Sequence, residues 1–127
     1  MTVAYLWLNA MLYLAFAAWC TIRLDATSQA VGYLSLSAGG RCEYATVYGG
    51  LQFGLAIFYA LCAWQPAWHQ VGLLFSAAIY APIALSRWIG VARFGKVGRT
   101  TLMVGSLELL LLAGAVALLA MNFSLRS

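Results

Sequence analysis

The chain has 127 residues, 65% of them hydrophobic and 8% charged, and seven Lys and Arg against three Asp and Glu give a formal net charge of +4. A soluble domain of this size leaves much of its surface in water and cannot hide so much apolar area. The composition therefore excludes a water-soluble domain and points to one integral membrane domain over residues 1–127. The basic excess does not call for nucleic acid, because Lys and Arg beside membrane spans set topology and meet anionic headgroups.

The first apolar run extends from about Val3 to Ile22, close to the roughly 20 residues that cross hydrocarbon. Tyr5, Trp7 and Trp19 lie near its ends, as interfacial aromatics do. At about 100° per residue, Tyr5, Asn9, Tyr13, Phe16, Cys20 and Arg23 share a face. Asn9 on that face is expected to bond another helix. The run lacks a basic leading stretch and is a poor match to a signal peptide.

Residues 23–41 are the longest break, with Thr27, Ser28, Gly32, Ser35, Ser37, Gly39 and Gly40 scattered through it. Val31 to Leu36 reads equally as a short interfacial helix, a re-entrant cap or plain loop. The Gly39-Gly40 pair is expected to turn the chain into the second helix.

The second helix is expected over about 44–64, with Glu43 at its membrane boundary. Glu43, Thr46, Gly50, Gly54 and Leu61 fall on one stripe, and Tyr44, Tyr48, Gln52, Leu55 and Tyr59 on another. Small residues at GxxxG spacing let backbones approach closely in a membrane. Thr46, Gly50 and Gly54 are therefore the expected helix-packing set, within the chain or between copies, with backbone approach to a ligand as the alternative. Gln52, deep in an apolar span, needs a partner. That partner is another helix, or the residue forms the polar wall of a ligand pocket. Cys20, Cys42 and Cys62 show no metal or redox spacing. Cys20 and Cys42 flank one loop and could pair in an oxidising compartment, but three free thiols are expected.

The turn Gln65-Pro66-Ala67-Trp68-His69 is short, so the second helix and the third, at about 70–91, are expected as antiparallel neighbours. A single histidine makes no metal site, and no metal or cofactor is expected. His69, Ser76, Tyr80, Ile83 and Arg87 share a face, and Pro82 should loosen or kink the helix just before Arg87. Arg87 either snorkels to the headgroups or faces inward in a pair. Arg93, Lys96 and Arg99 make the next loop basic. The fourth helix is expected over about 101–121, with Thr101, Val104, Gly105, Glu108, Ala115 and Asn122 on one face. A carboxylate some two turns into an apolar helix is costly unless paired or protonated, and Arg87 at similar depth is its expected partner.

The expected fold is all-α: an integral membrane four-helix bundle with both termini on one side. The other side carries Arg23, Arg41, Arg93, Lys96 and Arg99, against Arg126 alone at the terminal side. The positive-inside rule then puts loops 23–43 and 92–100 in the cytoplasm. Glu43, Tyr48, Gln52, Arg87 and Glu108 all lie toward the basic-loop side, each on its helix's polar stripe. They are the expected polar cluster or ligand-binding set.

The block Glu43, Val47-Tyr48-Gly49-Gly50-Leu51-Gln52, Gly54-Leu55 and Phe58, with Arg87 and Glu108 further on, resembles the DUF4345 family of small bacterial proteins with four predicted membrane helices. Family members often carry an arginine three residues before the tyrosine; here that position is Ala45, with Arg41 nearby. The resemblance implies the fold, the place of the site and a bacterial inner membrane, and brings no chemistry with it. The leading expectation is a binding or accessory protein, for an apolar lipid-like ligand or a larger membrane complex, with membrane lipid around it and homo-oligomers open. One alternative is a membrane enzyme or carrier with Glu108 as acid or base and Arg87 setting its protonation. The other is a purely structural bundle in which the charged pair locks two helices.

Overall fold

The computed structural model describes residues 1–124 and contains no strand among them; Arg126 of the charge argument lies outside the described residues. The elements are α1 (Thr2–Ile22), α2 (Leu24–Ala30), α3 (Ala38–Tyr44), a π-helical segment (Ala45–Leu51), α4 (Gln52–Trp64), a single 3-10 turn (Pro66–Trp68), α5 (His69–Phe94) and α6 (Arg99–Ser124). They make four spans long and apolar enough to cross a membrane: Thr2–Ile22, Ala38–Trp64, Pro66–Phe94 and Arg99–Ser124. The chain is an all-helical bundle, and large apolar side chains such as Ile57, Leu85, Leu110 and Val116 cover its outside. That outer surface suits hydrocarbon, where helices satisfy their own backbone groups.

The second span starts at Ala38, earlier than expected, because Ser37 caps it: the Ser37 hydroxyl accepts from the Gly40 N–H at 3.1 Å. Gly39 and Gly40 thus lie in the first helical turn and do not make the bend. The bend falls at Gly32, whose φ of +106° suits glycine alone. The short helix of the break is α2, over 24–30, with 31–37 irregular, so it forms before the stretch where it was an option. Thr27 and Ser28 are buried and return their hydroxyls to the carbonyls of Arg23 and Asp25, both at 3.0 Å. Tyr33 then lies edge-on against Tyr44, 6.1 Å between centroids, which folds the loop onto the bundle's end. Arg41 pairs with Asp25 across the same loop, exposed enough to add little stability.

Backbones approach most closely within two helix pairs, α1 with the second span and α5 with α6. The second and third spans are joined by the 3-10 turn, yet each packs more tightly on its other neighbour. Aromatic rings fill the space between the pairs. Tyr13 stacks between Tyr59 at 5.6 Å and Tyr80 at 6.4 Å, and Phe58 meets Phe75 at 4.6 Å. α5 is helical through Pro82, whose missing N–H leaves the carbonyl one turn back without its usual partner. Gly95, at φ +79°, ends the helix.

The glycine set of the second span does not pack against another helix of the same chain. A Cβ at Gly50 or Gly54 would meet nothing within 4 Å, and Thr46 is exposed, its hydroxyl returned to the Cys42 carbonyl at 2.9 Å. This stripe faces out of the bundle because the Tyr/Gln stripe on the opposite side faces in. The glycine used is Gly49, where a Cβ would stand 2.6 Å from Thr21 Oγ1. Buried positions along the span are Tyr44, Gly49, Ala56, Tyr59, Cys62 and Ala63. The step of five from Tyr44 to Gly49 is the wider π turn; the later spacings of three and seven from Ala56 are ordinary α-helix. Gly72 on α5 is another tight point, with Leu6 Cδ2 at 2.7 Å and Cys62 Cβ at 3.0 Å from its hypothetical Cβ.

Candidate functional site

Arg87 on α5 and Glu108 on α6 form a two-pronged ion pair. Arg87 Nε donates to Glu108 Oε2 at 2.6 Å, and Nη2 donates to Oε1 at 2.7 Å. The side chains are 30% and 13% exposed, so the pair is partly buried with its arginine end the more open. Gly105, one turn before Glu108, makes the room: a Cβ there would stand 2.8 Å from Arg87 Cδ and 3.5 Å from the Trp88 ring. Arg87 therefore faces inward, in the pair expected of it. A planar guanidinium matches a carboxylate in this way, and the short paired bonds offset the cost of taking both charges out of water.

The rest of the expected cluster is dispersed. Tyr48 is half-buried and within electrostatic range of Arg87. Gln52 is answered by its own helix: its Nε2 donates to the Val47 carbonyl at 3.4 Å, one of the carbonyls of the π segment. Gln52 makes no hydrogen bond to another helix among the described residues. Glu43 is exposed at the bundle's end and makes no hydrogen bond or ion pair among the described residues. Beside Arg87 lies a shallow groove of about 470 Å³ lined by Pro82, Ile83, Ser86 and Arg87, open on the outer face of α5.

A second polar feature lies deeper. The Tyr80 hydroxyl donates to Asn9 Oδ1 at 2.6 Å, Asn9 Nδ2 donates to the Tyr5 carbonyl at 2.8 Å, and the Tyr5 hydroxyl donates to the Leu111 carbonyl at 2.8 Å. The Ser76 hydroxyl donates to the Gly72 carbonyl, so Tyr59 donates to Ser76, at 2.9 Å. Asn9, Ser76 and Tyr59 are fully buried. Asn9 does bond another helix, as its face predicts. The linked network across α1, α5 and α6 is not apparent from spacing, although Ser76 and Tyr80 share a stripe four residues apart and Asn9 lies inward on its own helix. The cysteines are free: Cys20 and Cys62 are buried, and Cys42 is exposed. Tyr44 points its hydroxyl at Cys20 Sγ, 3.8 Å away.

Chemically, both Glu108 oxygens are engaged while the guanidinium keeps three of its five N–H donors. The pair can hold helices together and can offer hydrogen bonds; it is not a free acid or base. No three His, Cys, Asp or Glu side chains come together as a metal site among the described residues. Comparison with known protein families, with characterised proteins and with solved structures gives no match.

Proposed function

We propose that this chain is a multi-pass protein of the bacterial inner membrane, of the DUF4345 kind, that acts as a binding or accessory protein and not as an enzyme. Its loops 23–43 and 92–100 lie in the cytoplasm, following the basic residues they carry. The observation that supports the binding reading is the state of the pair. Each Glu108 oxygen accepts from Arg87, which argues against acid–base catalysis, while Arg87 keeps unused donors next to a groove open to lipid. A ligand there would be apolar and lipid-like. The runner-up is a purely structural bundle, favoured by the complete pairing of Asn9, Tyr80, Tyr59 and Ser76 in the core.

Native mass spectrometry of the full chain, extracted from its own membrane in a mild detergent, separates the two. The binding reading expects a defined extra mass that survives delipidation and is lost on Ile83→Trp, which fills the groove and leaves the pair intact. A chain that emerges without any such mass, and without a partner protein, belongs to the structural reading.

A further inference from the structure

We infer that the bundle is two rigid helix pairs joined at one end and hinged near the middle, so that their basic-loop ends move apart and together. The inference concerns the fold alone and stands whether or not the groove beside Arg87 holds a ligand. Three observations carry it.

The first is where the pairs touch. In the half nearer Thr2 and Ser124, α1 and the second span meet α5 and α6 through tight and polar contacts. Tyr59 donates to Ser76, the Tyr5 hydroxyl to the Leu111 carbonyl, and Tyr80 to Asn9. A Cβ on Gly72 would strike Leu6 and Cys62, and one on Gly114 would stand 3.1 Å from the Tyr5 ring. The buried core cluster belongs to this half too: Leu6, Ala10, Tyr59, Cys62 and Ala63, with Phe75 of α5 packed against it. The series ends at the Tyr13–Tyr80 stack near mid-span.

The second is what lies beyond that stack. Among the described residues, every hydrogen bond, ion pair and ring contact there stays inside one pair or its adjoining loop. Cys20 with Tyr44, Phe16 with Tyr48 and Gly49 against Thr21 join α1 to the second span. Arg87 with Glu108, and Gly105 against Arg87 and Trp88, join α5 to α6. No residue of α5 after Ala84 is buried, and the buried residue of α6 before Leu111 is Gly105, covered by its own pair. Tyr48 lies within electrostatic range of Arg87, and Tyr13 of Glu108, yet neither couple is hydrogen-bonded. Parts that share few buried contacts separate at low free energy, while the parts within each pair do not.

The third is Pro82. It lies two residues past Tyr80, where the firmly held half of α5 ends. Its missing N–H leaves the Ala78 carbonyl without a helical partner, and proline is a common place for a helix to bend. Beyond it, the two-pronged Arg87–Glu108 pair and the close approach at Gly105 make the start of α6 follow α5. Leaning outward widens the seam between Tyr48 and Arg87, and leaning inward narrows it.

The test is double electron–electron resonance on the full chain in lipid nanodiscs. Hinge positions that exchange in microseconds to milliseconds are frozen into a distribution of distances. Spin labels take exposed cysteines, and Cys20 and Cys62, both buried, stay unlabelled. Three labelled couples are compared, all at exposed positions. Cys42 with Ala92→Cys crosses between the pairs at the basic-loop end. Ala4→Cys with Ala120→Cys, in a Cys42→Ser background, crosses at the other end. Cys42 with Ala15→Cys stays within one pair. The first distribution should be wider than either of the others by about twofold or more. Pro82→Ala restores the missing donor and should narrow the first distribution while leaving the second unchanged. Equal widths at the two ends overturn the inference. A within-pair distribution as wide as the first assigns the spread to fraying of helix ends, which also overturns it. A first distribution that keeps its width in a natively helical Pro82→Ala protein overturns the hinge. Should that variant fail to assemble, the three couples in the parent chain decide between hinged pairs and a uniformly rigid bundle.

Discussion

At Arg87 and Glu108 two charges share one partly buried site, and each is tolerable only because the other is present. Arg87→Leu or Glu108→Leu alone should cost about 3–5 kcal/mol, because the remaining charge loses its partner. The double variant should lose much less than the sum, giving a coupling energy in a thermal-unfolding cycle in detergent; additive losses would mean that the two do not meet. Arg87→Lys should recover only part of the single loss, since an ammonium cannot reproduce the paired bonds of the guanidinium. The glycines sort in the same residue-level terms. Gly105→Ala drives a methyl to within 2.8 Å of the arginine stem and should cost about 1–3 kcal/mol. Gly50→Ala meets open space in the chain and should be neutral or stabilising by up to about 1 kcal/mol. Melting temperatures of the two variants side by side check this, and a strong loss at Gly50 would reveal an interface between copies.

The second span is the element least like its neighbours. Its π segment widens one turn, moves Gly49 onto α1 and leaves a carbonyl that Gln52 answers. Gln52→Leu should cost about 1 kcal/mol by stranding that group in hydrocarbon. Across the bundle, Tyr80→Phe removes the donor to Asn9 Oδ1 in a buried site. It should cost about 1–2 kcal/mol in detergent unfolding, with far-UV helicity unchanged. A Tyr80→Phe protein as stable as its parent would show that Asn9 finds another donor, and the network would then not be what joins α1 to α5.

On the scale of the whole molecule, four antiparallel spans leave the basic loops on one side and the described termini on the other. Cys42 is the exposed thiol at the basic-loop end, while Cys20 and Cys62 are buried. With the orientation proposed above, a membrane-impermeant maleimide should label inverted inner-membrane vesicles and spare intact spheroplasts, and Cys42→Ser should abolish the labelling. Labelling of spheroplasts would reverse the orientation. Cys20 and Cys62 should react only once the bundle is denatured.

The span count, the Arg87–Glu108 pair and the interhelical role of Asn9 were all legible in the sequence, and for one reason. A membrane makes every buried polar group expensive, so a carboxylate, an arginine and an amide in apolar runs each announce that a partner exists. The location of that partner is another matter. A helical wheel assumes the same rotation at every residue, and the π turn at 45–51 breaks that assumption inside the most distinctive stretch of the chain. A GxxxG pattern shows that a face can pack closely, but not whether anything stands opposite it. In the folded chain the tyrosines take the inner side, and Gly50 and Gly54 are left facing out. Gln52 found its acceptor five residues back on its own helix, and Glu43 stayed at the exposed end, so the expected five-residue cluster came down to one pair with Tyr48 nearby. Solvent chemistry set which residues must be paired; only the packing of one helix on another decided with whom, because that depends on shape across the gap and not on spacing along the chain.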